Sequence, residues 1–375
     1  MSDVGPLLPA GRTVTLIFDA HLDLAWNALG WSRDLTQSLE AINARESTWG
    51  DHPARGRATT CLPEMRRGEV AVCLGVILAR TRPESPVAEG ILRLSPDYPS
   101  PAMTYAAGRA HLAYYQWLAR QSHVVLIGSA AQLRQHWQRW QKAPSPRPAP
   151  GVILAMEGAD PIVRPDQAAE WWKAGLRVVS LVHYGQGPYA AGTGHRGPLT
   201  PAGIELLGQF QRLGIILDLT HLAEPGCSQA LDCFDGPVMA SHNNCRALVP
   251  GDRQFSDRQL RKLIARDAVI GIAADAWMLH ANWQRGRTPR SAVSIAAMAD
   301  HIDHVCQLSG TARHVGLGSD LDGGYGREQT PAGLDTIADL QKLGDILSSR
   351  GFSDSDIQAI FHGNWLRFFA THLPP

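Results

Sequence analysis

The stretch Phe18-Asp19-Ala20-His21-Leu22-Asp23 decides how the rest of the chain is read. It grows out of Val14-Thr15-Leu16-Ile17-Phe18, a short apolar run of the kind that forms a buried strand, and it ends in a histidine and an aspartate two residues apart. Residues two apart on an extended chain point to the same side. An imidazole nitrogen and a carboxylate oxygen can then converge on one cation, and both suit zinc. A single triplet of this kind is equally an ordinary capped strand end, so the weight rests on whether the pattern recurs.

It recurs. Gly151-Val152-Ile153-Leu154-Ala155-Met156 leads into Glu157, Val178-Val179-Ser180-Leu181-Val182 into His183, and Ile215-Ile216-Leu217-Asp218-Leu219-Thr220 into His221. Pro237-Val238-Met239-Ala240-Ser241 leads into His242, and Val315-Gly316-Leu317-Gly318-Ser319 into Asp320. With the runs over 70–78 and 268–273 there are eight apolar segments, starting near residues 13, 70, 151, 178, 214, 237, 268 and 314. Helical patterns alternate with them, over 103–120, 129–142, 168–174, 201–213, from after His221 to about 233, 256–266, 291–308, 335–348 and 354–361. Thr200-Pro201 supplies an N-cap and first-turn proline, Gly214 a stop, and Ser256-x-x-Gln259 a capping box. This rhythm predicts an α/β fold, a (β/α)8 TIM-type barrel forming a single domain over 1–375. A doubly wound open sheet gathers its site at one switch point, whereas here six of the eight segments end in His, Asp or Glu. Long insertions are expected after strands 1 and 2: a polar segment over 28–57 with some helix over 35–45, a short helix over 62–67, and a proline-rich loop or lid over 81–101.

Composition narrows the function classes. Thirty-five basic residues balance 35 acidic ones, so the clustered positive charge that nucleic acid or a polybasic membrane surface requires is not expected. No apolar stretch approaches the ~18 residues of a membrane span. The N-terminal segment, with Pro6, Pro9 and Arg12, lacks the continuous apolar core of a secretory leader. Six cysteines without a C-x-x-C pair read as free thiols, and a cytoplasmic location is the expectation.

In a barrel the C-terminal strand ends share one face. His21, Asp23, Glu157, His183, His221, His242 and Asp320 are therefore expected in one cavity. So many ligand-type groups exceed the three protein ligands of one catalytic zinc, and two ions are expected, with Glu157 bridging. His21 and Asp23 would hold one ion, and His221 and His242 the other. A hydroxide between the ions would be the nucleophile. That leaves Asp320 as proton carrier and His183 as oxyanion stabiliser. Arg253, in Asp252-Arg253-Gln254-Phe255-Ser256-Asp257, has two readings: a grip on a substrate carboxylate, or a surface arginine paired with Asp252 or Asp257.

These residues resemble the renal (membrane) dipeptidases, a family within the metal-dependent amidohydrolase barrels. Asp19-x-His21-x-Asp23-Leu24 is similar to that family's opening motif, Glu157-Gly158 to its bridging glutamate, and Leu181-Val182-His183 to its substrate-side histidine. Asp218-Leu219-Thr220-His221 and Ser241-His242 resemble its second-metal histidines, and Arg253 stands where the family binds a carboxylate. Gly318-Ser319-Asp320-Leu321-Asp322-Gly323 is similar to its catalytic-aspartate segment, and Gly363-Asn364-Trp365-Leu366-Arg367 to its C-terminal signature. The resemblance runs from about residue 14 to 369. It implies two zinc ions, hydrolysis of dipeptides with Arg253 on the free C-terminal carboxylate, and a homodimer. Segments 28–62 and 81–101 do not match it, and strand seven ends Ala273-Ala274-Asp275-Ala276-Trp277 where the family often has Asn and aromatics. The competing readings are another binuclear amidohydrolase, acting on a different amide or an ester, and a metal-binding homologue without catalysis. The first often carries His-x-His on strand one and a carboxylated lysine after strand four; here His-x-Asp stands in the one place and His183 in the other. The second predicts loss of the proton carrier, yet Asp320 is present.

Overall fold

Val70–Ile77 and Gly151–Met156 are buried along their whole length, which is why they read as unbroken apolar runs rather than alternating ones. Side chains still alternate. Val72, Leu74, Val76, Ile153 and Ala155 join Phe18, Val178, Ile216 and Met239 in one cluster. Cys73, Ile77, Val152, Leu154 and Met156 belong to a second cluster shared with the helices. A parallel sheet buried on both faces in this way is either a doubly wound open sheet or a barrel wall, and closure decides for the wall. The computed structural model describes residues 14–83 and 95–375, and among them eight parallel strands form that wall: β1 (Ile17–Leu22), β2 (Val70–Ile77), β3 (Gly151–Met156), β4 (Leu176–Ser180), β5 (Ile216–Asp218), β6 (Val238–Met239), β7 (Ile270–Ile272) and β8 (Val315–Leu317). They pair in the order β7-β8-β1-β2-β3-β4-β5-β6, and a parallel bridge between Ala240 and Ile270 joins β6 to β7. Val125–Leu126 adds a short parallel partner to β3. The expected (β/α)8 barrel is the fold.

The helix signals act as read. Ser129 accepts from Gln132 N ahead of Ala130–Lys142, Thr200 caps Pro201–Leu213, and Ser256 and Gln259 form a reciprocal box on Asp257–Ala265. Several boundaries differ. β1 starts at Ile17 and carries His21 inside the strand, where its register with β2 shifts between Asp19 and Leu22. The helix expected from 291 is a 3-10 turn, Arg290–Ala292, then Ala296–Ser309, because Ser294 bridges to Ala332 between them. That expected over 335–348 opens as a 3-10 turn, Ile337–Gln341, before Lys342–Ser349. That expected over 354–361 is Asp354–Gln358, followed by a π turn and a further helix, Asn364–His372. Asn364 holds this last helix by donating to Ala312 O and Val315 O, and Trp365, Phe368 and Phe369 pack into the inner cluster.

The insertions lie where expected. Residues 23–69 hold Leu24–Leu29, Leu39–Glu46 and Leu62–Arg67, the second starting four residues later than expected, at the Ser38 cap. After β2, Arg80–Thr81 pairs with Asp97–Tyr98 ahead of Pro101–Arg120. The middle of the 81–101 loop (84–94) and the N-terminal segment read for a leader (1–13) lie outside the described residues. No helix among the described residues is long and apolar enough to cross a membrane.

The first insertion is held by a buried polar knot. Thr59 N and Oγ1 and Thr60 N donate to Asp322 at 3.0, 2.7 and 3.0 Å, and Arg33 Nη1 lies 3.5 Å from the same carboxylate. Glu46 in turn accepts from Arg33 Nε and Arg55 Nη1, both at 2.9 Å. Removing the Asp322 carboxylate leaves three buried donors without their acceptor and takes from Arg33 one of its two carboxylate partners. We expect Asp322→Ala to lower the unfolding free energy in denaturant by about 3–5 kcal/mol. Arg164→Ala, which breaks an exposed pair, should leave the transition where it is. An unshifted Asp322→Ala transition would mean that the insertion is anchored elsewhere.

Candidate metal centre

Every ligand-type residue singled out above stands at the C-terminal end of its strand. His21 lies in β1 and Asp23 just past it, Glu157 directly follows β3, and the loops after β4, β5, β6 and β8 carry His183, His221, His242 and Asp320. The backbone is bent to aim them. His221 (φ 69°), Asp320 (φ 57°) and Asp322 (φ 63°) are left-handed, a conformation that costs a non-glycine residue free energy and that clusters at functional sites. Gly158, at φ 80°, makes the turn that leaves Glu157 facing inward. A Cβ on Gly318 would sit 1.8 Å from Ser241 O, so only glycine lets β8 pass this close to the His242 segment.

The side chains meet as two sets around one carboxylate. Glu157 Oε1 lies 3.1 Å from His221 Nε2 and 3.2 Å from His242 Nε2. Glu157 Oε2 faces the other way, 3.7 Å from His21 Nε2 and 3.8 Å from His183 Nε2. His21 Nε2 is also 3.7 Å from Asp23 Oδ2 and 3.8 Å from Asp320 Oδ1. Several groups of three ligand atoms gather here, among them His21, Asp23 and Glu157. His21 Nε2, Asp23 Oδ1 and Glu157 Oε1 are buried with no hydrogen-bond partner, an expensive arrangement unless something positive lies among them.

Hydrogen bonds behind the rings show which nitrogens carry lone pairs. Asp218 can only accept, so the Ser241 hydroxyl spends its proton on Asp218 Oδ2 at 2.5 Å. Ser241 Oγ must then accept from His242 Nδ1 at 2.8 Å, which leaves His242 Nε2 unprotonated and facing the centre. Thr193 Oγ1 stands 3.1 Å from His221 Nδ1, and a proton spent on His221 O, 3.5 Å away, would let it accept from that ring too. His221 Nε2 and His242 Nε2 are 3.3 Å apart. Two imidazole nitrogens at this distance fit a shared cation: a tetrahedron with zinc–nitrogen bonds of ~2.0–2.1 Å has edges of about 3.3–3.4 Å. The donor set, the orphaned atoms and the ring tautomers therefore all suit divalent metal, and partners behind ligating histidines are what fix such rings.

Electrostatics agree. Burial drives the pKa values of His183, His221 and His242 well below the usual histidine range, so these rings are neutral. Burial raises those of Glu157 and Asp320. Burial opposes charge on His21 as well, but Glu157, Asp23 and Asp320 outweigh it and raise its pKa. A bound cation would take over that balancing role and return His21 to a neutral ligand.

The centre opens into a cavity of about 250 Å³ whose wall includes Trp26, Tyr184, Arg253, Asp275, Trp277 and Arg285. Arg253 is not a surface arginine. It is 2% exposed and donates to His242 O (2.8 Å) and Asn243 Oδ1 (3.1 Å), while Asp252 accepts from Gly194 N and Asp257 pairs with His304. Five donors minus two leaves part of the guanidinium for a ligand. Sequence reading passed over several residues. Asp218 and Ser241 stood inside quoted motifs, but nothing marked them as a proton relay behind His242. Asp275 is buried, its pKa is pushed up to about 7 by burial, and Gln329 Nε2 donates to both its oxygens at 2.8 and 2.9 Å. Only the unusual end of strand seven hinted at it.

Comparison with known proteins follows the same line. Residues 12–372 match the membrane dipeptidase family, peptidase family M19. Dipeptidase aclJ of Aspergillus oryzae is 31% identical over 227 residues, 58% of this chain and 51% of its own length. The chain thus spans about half the length of the curated relatives it matches. A metallopeptidase from Rhodobacter sphaeroides, crystallised with a phosphinate mimic of the dipeptide L-Ala-D-Ala, superposes with a TM-score of 0.74 at 23% identity, covering 96% of this chain and 99% of that one. The probable dipeptidase PvdM from Pseudomonas aeruginosa gives 0.72 at 18% identity, covering 95% of each chain. At these identities the two structures speak for the fold.

The relay behind His242 can be tested directly. In Asp218→Asn the amide can donate to Ser241, turning the hydroxyl towards His242 Nδ1 and placing a proton on Nε2. Divalent-metal affinity, measured by competition with a chelator, should fall about 10–100-fold. Unchanged affinity would show that the tautomer is not set by Asp218.

Proposed function

The chain belongs to the membrane dipeptidase family, and from that premise we propose that it hydrolyses the peptide bond of dipeptides bearing a free C-terminal carboxylate, using two zinc ions. His21 and Asp23 would hold one ion, His221 and His242 the other, with Glu157 between them. The observation that carries this reading is the division of Glu157: Oε1 faces His221 and His242, and Oε2 faces His21 and His183. When bound, the ions supply activation of water near neutral pH and polarisation of a carbonyl oxygen.

The remaining work falls to the protein's own groups. Arg253 offers its unused N–H groups to the substrate's C-terminal carboxylate, and its bonds to His242 O and Asn243 keep the fork in place. His183 donates from Nε2 to the carbonyl oxygen as it gains charge. Asp320 takes a proton from the attacking water and passes it to the leaving amine. The cavity is small enough to hold a dipeptide-sized substrate and to keep these groups close to it. A homodimer and a cytoplasmic location belong to the same proposal; the family resemblance supports the first, and the absence of any disulfide among six free cysteines supports the second.

A panel of dipeptides, including members with a D-residue at the C-terminus and a C-terminally amidated control, tests this reading. Cleavage of free-carboxylate members is expected, with the amidated control poor. Turnover of other amides or esters without any dipeptide cleavage would move the substrate class. In Arg253→Met, kcat/KM for free-carboxylate dipeptides should drop about 10–100-fold, chiefly through KM. An equal loss on the amidated control would remove Arg253 from recognition. Asp320→Asn should keep its metal and lose turnover; wild-type rates in that variant would refute the proton-carrier role.

A further inference from the structure

His183 faces Glu157 Oε2 like a ligand, yet its other nitrogen has a partner unlike those of His221 and His242. Behind His183 stands Arg80, with Nη1 at 3.0 Å from His183 Nδ1. A guanidinium has five N–H donors and no acceptor, and in a protein it does not lose its charge. Nδ1 must therefore accept, and the ring's one proton sits on Nε2, pointing into the cavity. Behind His242 the opposite holds: Ser241 accepts, and Nε2 keeps a lone pair.

Arg80 is itself fixed. Its Nε donates to Asp97 Oδ1 at 2.7 Å, and Arg80–Thr81 pairs with Asp97–Tyr98. Thr81 N donates to Asp160 Oδ1 at 2.9 Å, and Thr81 Oγ1 meets Thr104 Oγ1 at 2.8 Å. Arg82 Nη1 lies 3.5 Å from Asp160, and its Nη2 bonds Tyr184 O, directly after His183. Three consecutive residues after β2 thus reach across to the loops that follow β3 and β4.

We propose that Arg80 is a positioning residue: held by Asp97, it locks His183 as a neutral Nε2–H donor, which bars that ring from metal coordination and reserves it for a substrate oxygen. The inference rests on the dipeptidase reading only for the identity of that oxygen; the tautomer stands on the hydrogen bonds alone.

The test is the tautomer of His183 in the zinc-loaded protein, read by long-range 1H–15N NMR on histidine-labelled material, with His183→Gln to assign the signals. The expected result is an unprotonated Nδ1 and a protonated Nε2. A protonated Nδ1, or an Nε2 shifted by bound metal, overturns the proposal, whatever the protein turns out to hydrolyse. Arg80→Gln, which can accept as well as donate, should move the ring towards the other tautomer and lower kcat about 10–100-fold with KM little changed. Arg80→Lys, another donor without an acceptor, should restore the wild-type tautomer and most of kcat. If Arg80→Gln keeps the wild-type tautomer and rate, Arg80 is not what sets the ring. Should Arg80→Gln fail to fold, the wild-type spectrum and Arg80→Lys still decide.

Discussion

A buried carboxylate whose two oxygens face separate pairs of groups, with no hydrogen available between several of the facing atoms, is the constraint on which this structure turns. Glu157 Oε1 looks at two imidazole nitrogens and Oε2 at two more, while His221 Nε2 and His242 Nε2 stand 3.3 Å apart. In a dry pocket such a set repels itself or strands its acceptors, at a cost of several kcal/mol for each charged group left uncompensated. Positive charge among them offsets that cost: a protonated His21 supplies it in the absence of metal, and a bound cation would take its place. The barrel supplies the rigid wall that keeps the groups together until it arrives.

Much of the surrounding architecture can be understood as serving that set. Left-handed residues at 221, 320 and 322 and the glycines at 158 and 318 bend the strand ends inward. Asp218 and Ser241 choose the tautomer of His242, and Arg80 chooses the reverse tautomer for His183. Asp19 Oδ1 accepts from His21 N and from Ser319 N, tying the first ligand strand to the loop of Asp320. The first insertion, anchored on Asp322, presses against that same loop from outside. Geometry that looks local to each ligand is thus held by elements far apart in the chain.

The barrel and the meeting of the ligand-type residues at one mouth were legible in the sequence because both rest on short-range rules. A strand buried on two faces is a continuous apolar run, and a parallel barrel sends all its strand ends to one mouth, so seven polar residues at apolar run ends announced a site. Element boundaries were less legible where tertiary contacts override local preference. Ser294 is taken by a bridge to Ala332, which delays a helix, and Asn364 is held by backbone carbonyls near β8, which extends another past a glycine. The two readings of Arg253 could not be separated by spacing, because burial decides between them and burial comes from the fold. Arg80 was invisible for a related reason, since a lone arginine outside a motif shows nothing until the loops around it are placed, and Asp275 was hinted at only by the unusual end of strand seven.

The most direct test of the account is where metal binds. Crystals of the protein grown with zinc, with data collected on either side of the zinc absorption edge, should show two anomalous peaks about 3.5–4 Å apart with the Glu157 carboxylate between them. One should lie among His21 and Asp23, the other among His221 and His242, with His183 outside bonding reach of both. A single peak, or a peak bonded to His183 Nε2, would contradict the account.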